Sequence, residues 1–386
     1  MSIKRFRWVL VLAVGTFGMA DRAYAVRTWT NGGGTSEWND ATNWTGGVPG
    51  PSSGQDALFD AASPPGAITV TGATPSTRHI SWGSAGDTIA PVGAFTYNAG
   101  VDGVINLRSG SFMANQSDTA TSVQTFNVDV VQLGSSTWQP VGAGFVFNNG
   151  YNLGTGLTIA PGGAGPGVNP MTFNGTITGG TGGLTKTNSG TVSINGTASY
   201  TGTTSVSAGS LLVNGTHTGD GAYTIADGAT LGGTGSIGST VNLDGIIAPG
   251  TSPGTLTLGG LALLTSTLMY ELDAINHVPG SNINDLIDVN GLLDLTGGGV
   301  LNVSSGGDLS LGVYELMQFD SLAPGSDASD IALGTIPLAA GTFAQIVIDG
   351  DSVNLDVSLI PEPTTLALAV IGLTGLVFRR RTRRGN

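Results

Sequence analysis

The chain has 386 residues, 64 of them glycine, with 40% apolar and only 10% charged side chains and no cysteine. Without cysteine there is no disulfide framework, thiolate metal site or cysteine nucleophile, and the apolar content is too high and the charge too low for a disordered chain. The net charge of −13 is unevenly spread: four Lys and Arg precede Val26 and five follow Phe378, leaving Arg27, Arg78, Arg108 and Lys186 against all but two of the 26 acidic residues, so the body repels nucleic acid.

Residues 1–25 have the layout of a signal peptide: a basic start through Arg7, an apolar run Trp8–Ala20, and Ala23-Tyr24-Ala25 as small residues at a peptidase site. Cleavage by signal peptidase after Ala25 is expected. The apolar run reaches roughly 20 Å as a helix, short of the ~30 Å hydrocarbon core that an uncleaved anchor has to span.

Residues 26–60 form a Trp- and Gly-rich segment in which Trp29, Trp38 and Trp44 fall among turn residues. Exposed indoles there would stack on sugar rings. The favoured expectation is instead a cap, with the three rings covering the core at the open end of a stacked β structure.

From 61 to 260 the texture is one of short Val, Ile, Leu and Thr clusters between Gly and Asn corners. Clusters at Thr191 to Ile194, Thr203 to Val206, Ser210 to Val213, Ala222 to Ile225, Thr240 to Leu243, Gly245 to Ala248 and Thr255 to Leu258 read as strands too short to stand alone. Stacking such strands in successive coils buries one continuous narrow core. The stretch 182–216, with Gly182 to Lys186 as GGLTK, Tyr200 to Gly202 as YTG and Ala208 to Gly215 as AGSLLVNG, resembles the autotransporter-associated β-strand repeat. That resemblance implies a right-handed parallel β-helix. An acidic segment stands where an autotransporter has its outer-membrane barrel, so self-transport is not expected.

Between 261 and 359 the runs lengthen and gain Asp, as in LALLTSTLMYELDA and FAQIVIDGDSVNLDVSL. They are expected to form an additional C-terminal β region, either an antiparallel sheet or a widened end of the solenoid.

Residues 360–386 hold Pro361-Glu362-Pro363, an uncharged apolar segment 364–378, and a basic cluster beginning Arg379-Arg380-Arg381. The prolines stop a helix from continuing upstream. The arginines stay on the cytoplasmic side of a short transmembrane helix over 364–378. These three parts, in this order, resemble the PEP-CTERM sorting signal. The resemblance implies a membrane-embedded exosortase as partner, Pro361, Glu362 and Pro363 as its recognition motif, and envelopes that often export polysaccharide. A plain single-span anchor is the alternative.

Catalytic chemistry is thin. A lyase acting on acidic sugar needs a base and cations, and the body has four widely separated basic residues. Paired carboxylates for a glycosidase cannot be located by spacing. His79, His217 and His277 lack ligand spacing and read as turn or surface residues. Asn282, Asn284, Asp285 and Asp288, and Asp349 with Asp351, offer oxygen atoms to calcium without an EF-hand or nonapeptide pattern. No catalytic residue, metal site or cofactor is assigned. The expectation is an exported, non-enzymatic structural or adhesive protein of the envelope or extracellular matrix, all-β, with exopolysaccharide or another matrix polymer as partner. A secreted carbohydrate-active β-helix enzyme or a glycan-binding module is the alternative.

Overall fold

The computed structural model describes residues 26–49, 56–59, 63, 65–72, 77–82, 94–115, 123–140, 144–161, 170–250 and 253–360, with backbone alone for 77–79, 81–82 and 108–115. The expected signal peptide with Ala23 and Ala25, the motif Pro361-Glu362-Pro363, the helix 364–378 and Arg379, Arg380 and Arg381 all lie outside the described residues.

Strands make up 56% of the described residues, and the only helical pieces among them are two short 3-10 turns, so the all-β expectation holds. The strands fall into two hydrogen-bonded sets of 19 and 12. Pairing is parallel up to the last two strands. One rung runs Leu184, Thr204, Tyr223, Val241, Leu261 and Leu293, and another runs Ile68, Tyr97, Phe126, Phe147, Phe173, Ile194 and Val213. Each step climbs one strand and about 20 to 30 residues, an arrangement compatible with a solenoid.

Alternation decides what is buried. Thr191–Ile194 and Gly156–Ile159 both put every second side chain inside, as the period-2 geometry of a strand requires. Because parallel strands stack in register, equivalent inward residues stack too. Tyr97, Phe126, Phe147 and Phe173 form a column with ring centroids 4.8, 4.8 and 5.1 Å apart and planes within 16° of parallel. That spacing is the interstrand distance itself, and above Phe173 the column continues as Ile194 and Val213.

The corners stack as well. The Nδ2 of Asn127 donates to Oδ1 of Asn98, and Asn148, Asn174, Asn195 and Asn214 repeat the bond upward at 2.7 to 3.0 Å. Each Asn of the upper three is followed by Gly175, Gly196 or Gly215, where a Cβ would sit 1.9 to 2.1 Å from the carbonyl oxygen of the coil below. The Asn-Gly pairs therefore mark a ladder and a close backbone approach, not reverse turns between antiparallel strands. Asn174→Ala removes two of these bonds at an exposed corner where water can replace part of them. The expected loss is about 1 kcal/mol in a denaturant titration; an unchanged midpoint would mean the ladder only decorates the corner.

The change in texture at Leu261 brings no change in pairing. It falls inside the strand Thr255–Leu263, whose parallel ladder continues to Leu286–Asp294 and then Gly312–Leu322. Antiparallel geometry enters only at the end, where Ser352–Leu359 pairs with Gly312–Leu322 on one side and Thr342–Asp349 on the other.

Candidate functional site

The last strand is the platform for the C-terminal tail. Ser352–Leu359 is held between two antiparallel neighbours, and the final described backbone hydrogen bond runs from Ile360 N–H to the Gly341 carbonyl at 2.9 Å. Leu359 and Ile360 are both more than half exposed. The last described residues are thus in solvent, and Pro361-Glu362-Pro363 follows them directly in the sequence.

At the opposite end the three tryptophans are interior. Trp29, Trp38 and Trp44 are 2%, 0% and 3% exposed. Trp44 packs edge-on against Trp29 at 5.1 Å and Trp38 at 4.8 Å, and its Nε1–H donates to the Trp38 carbonyl. Asp40 caps the short turn Ala41–Asn43 through the Thr42 N–H, and the Thr42 hydroxyl, the Thr35 hydroxyl and that N–H, donating to its carboxylate, hold the carboxyl below the usual range. Buried faces cannot stack on sugar, so the glycan-stacking alternative for these residues is set aside.

Two adjoining clefts, about 370 and 530 Å³, share Glu271 and Ser304 on the outer side of the smaller sheet. The larger has an apolar bed that includes Leu212, Ala248 and Met269, with Glu271 and Asp285 at one end. Burial, with a smaller contribution from neighbouring Glu271, pushes the Asp285 carboxyl up to about 6. A carboxyl of that kind suits general acid chemistry. Its oxygens are nonetheless engaged, one by Gly254 N–H at 2.8 Å and the other by Glu271 N–H at 2.6 Å. Asn284 beside it accepts from Asp273 N–H and donates to the Asn276 and Val278 carbonyls. The pair staples both feet of the loop 272–284 to the body.

The stapling also uses oxygen atoms that the sequence offers to calcium. Asn284 and Asp285 are buried and occupied by backbone, Asn282 is exposed at a φ of 57°, and Asp349 and Asp351 bracket Gly350 in the terminal hairpin turn. Among the described residues no group of three or more His, Asp or Glu is placed to hold a metal ion.

The histidines divide. His277 is a half-buried loop residue, edge-on to Tyr314 at 4.4 Å with Nε2 3.0 Å from Ser310 Oγ. His79 lies in the strand Thr77–Trp82, where only the backbone is described. His217, expected at a turn or surface, is 1% exposed. Its ring lies 4.3 Å from that of Tyr200. Nε2–H donates to the Tyr200 carbonyl at 3.0 Å, which leaves Nδ1 to accept from the Tyr223 hydroxyl at 2.8 Å. Burial lowers its pKa and favours this neutral form. An imidazole with both nitrogens satisfied by protein substitutes for an apolar residue in the stack.

Lys186 is a second buried polar residue. It has no exposed surface, and its ammonium donates to the carbonyls of Thr187, Asn188 and Ala208 at 2.6 to 2.9 Å. Burial pulls it down to about 8. Three carbonyls use all three donors of a charged amine, so the residue closes a corner between two coils.

Among the described residues no helix is long and apolar enough to cross a membrane. No curated protein matches the chain. Residues 359–381, beginning on the last residue of the terminal strand, match the family of PEP-CTERM protein-sorting motifs, which implies export to the cell envelope or surface and processing by an exosortase.

Proposed function

We propose that this is an exported, non-enzymatic structural or adhesive protein of the cell envelope or extracellular matrix, built as a right-handed parallel β-helix that includes an autotransporter-like repeat at 182–216. The observation that carries the reading is the PEP-CTERM motif attached directly to the end of a folded β body. In this account signal peptidase cuts after Ala25, residues 364–378 hold the protein in the inner membrane until exosortase acts near Pro361, Glu362 and Pro363, and Arg379, Arg380 and Arg381 remain cytoplasmic. The body then meets exopolysaccharide or another matrix polymer.

A regular outer surface supports the polymer partner. Thr158, Thr185, Ser205, Thr224 and Asn242 are register partners on successive strands and face outward. They form a polar row with a repeat of about 4.8 Å along the stack. The test is mass spectrometry of the mature protein from fractionated native cells with and without exosortase. Loss of everything beyond the motif only when the enzyme is present is expected; an intact membrane-bound tail in both strains would make this a simple anchored protein. The cleft containing Glu271 and Asp285 is what favours a carbohydrate-active enzyme as the second reading, and release of reducing ends from envelope polysaccharide by the purified protein would select it.

A further inference from the structure

The two ends of the stack are finished differently. At the N-terminal end both first strands are covered by the cap. The strand Val26–Thr28 exchanges bonds with Thr45, whose N–H donates to the Thr28 carbonyl while its Oγ1 accepts from Thr28 N–H. The strand Gly66–Val70 is covered at Thr69, which donates to the Ser36 carbonyl and accepts from Trp38 N–H, each at 2.8 Å. At the C-terminal end the smaller sheet stops on the three-residue strand Ile331–Leu333, and Pro337 follows shortly after. A very short edge with a nearby proline is one of the ways a sheet avoids unwanted pairing.

The larger sheet has no such finish. It ends on Thr342–Asp349, eight residues whose one ladder partner among the described residues is Ser352–Leu359. An antiparallel strand directs alternate N–H and C=O groups to either side, so among the described residues this edge presents an unpaired row. Its sequence TFAQIVID contains no Lys, Arg or Pro and carries its single charge at the last position. The ladder to Ser352–Leu359 has no bulge. On one face Ala344, Ile346 and Ile348 pack against the core yet stay only partly buried, and on the other Phe343 and Val347 are also partly buried. A further strand alongside would cover both rows.

We infer that the edge Thr342–Asp349 is an interaction surface for a second copy of this chain, joined by antiparallel pairing of the two identical strands across a two-fold axis. A strand can meet its own copy symmetrically only in the antiparallel sense, and a two-fold contact closes after two copies. Centred on Gln345, such pairing keeps each face together and sets Ala344 against Ile346 and Phe343 against Val347. Asp349 then faces Gly341 of the second copy, so no like charges meet. The acidic bodies oppose the association through longer-range repulsion that salt screens. The dimer therefore strengthens as ionic strength rises, the reverse of an interface held by charge. This inference stands on the edge strand and does not depend on the matrix reading.

The absence of native cysteine makes the test direct. Gln345 is exposed, and Gln345→Cys gives the full-length protein one thiol on the edge; Asp227→Cys gives one at an exposed turn of the mid-body. A short bis-maleimide is expected to link two chains through position 345, more efficiently at high salt, and to leave the 227 variant unlinked. Adding Val347→Asp to Gln345→Cys should abolish the link while circular dichroism still reports a folded β protein. Equal linking at both positions, no link at 345 at any salt, or a link at 345 to a different protein would overturn the proposal, and the salt series with Gln345→Cys alone decides even if Val347→Asp does not fold.

Discussion

Trp38→Ala is expected to cost about 3–5 kcal/mol, the range for removing a large aromatic side chain from a packed interior. Trp38 is completely enclosed, with ring centroids 4.8 Å from Trp44, 6.0 Å from Phe59 and 6.1 Å from Tyr97. Its backbone N–H also covers the edge of Gly66–Val70 through the Thr69 carbonyl. Losing the ring therefore loosens the plug and the edge cover together. In a stack whose coils touch only their neighbours the damage stays near the end where it is made. Hydrogen exchange should show amides within 26–70 losing protection while those within 191–263 keep it, and tryptophan fluorescence should change before the main unfolding transition. Retention on envelope polysaccharide should stay as it was. A variant that keeps its stability but loses that retention would restore the sugar-stacking role and dismiss the cap.

The strands were the legible part, because alternation is local and every strand of a stacked coil must bury one face. The expected clusters at Thr191 to Ile194 and Ser210 to Val213 coincide with or fall within the strands Thr191–Ile194 and Gly209–Val213, and Thr255 to Leu258 opens the strand Thr255–Leu263. What the sequence hides is set by contacts between coils. Asn174 bonds to residues 26 positions before it and 21 after it, and nothing in its own neighbourhood distinguishes it from a loop asparagine. Lys186 and His217 are polar residues whose burial carries a cost. Both escape that cost because the next coil supplies partners at fixed spacing, the Ala208 carbonyl for one and the Tyr223 hydroxyl for the other. The rise in Asp content after Leu261 leaves an antiparallel sheet and a widened end of the solenoid both open, and Asp288 and Asp294 sit at partly exposed positions of a strand in the same parallel ladder. Composition reports which face is wet, not which strand is the neighbour. The sorting motif was legible for the opposite reason: it is read as a linear segment, so its order along the chain is its chemistry.

The pH response of the body should carry the signature of its buried polar groups, climbing gently above pH 8 and collapsing above pH 10. Tyr151, Tyr200, Tyr223 and Tyr270 are at most 1% exposed, and burial raises the pKa of each. A phenol with a folded pKa above its unfolded value of 10 contributes stability that is complete below pH 10 and is lost as pH rises toward the folded value. Each phenol that stays protonated in the folded state costs about 1.4 kcal/mol per pH unit past 10, and Tyr151, Tyr223 and Tyr270, raised furthest, carry most of the loss. Lys186 works in the other direction. Its folded pKa, about 8, lies below the ordinary lysine value of 10.5, so between those limits the unfolded chain binds more protons and stability rises with pH. The three carbonyl acceptors moderate this slope, because a neutral amine has only two hydrogens to donate. Denaturant titrations from pH 7 to 11.5 should therefore pass through a maximum near pH 10, and Lys186→Met should flatten the rising limb while leaving the fall in place. Tyrosinate absorbance supplies the decisive comparison. If these four phenols are sealed in the core, most of the absorbance appears with unfolding; if it grows steadily from pH 10 while the protein stays folded, the interior admits hydroxide and the tyrosines do not hold the stack together.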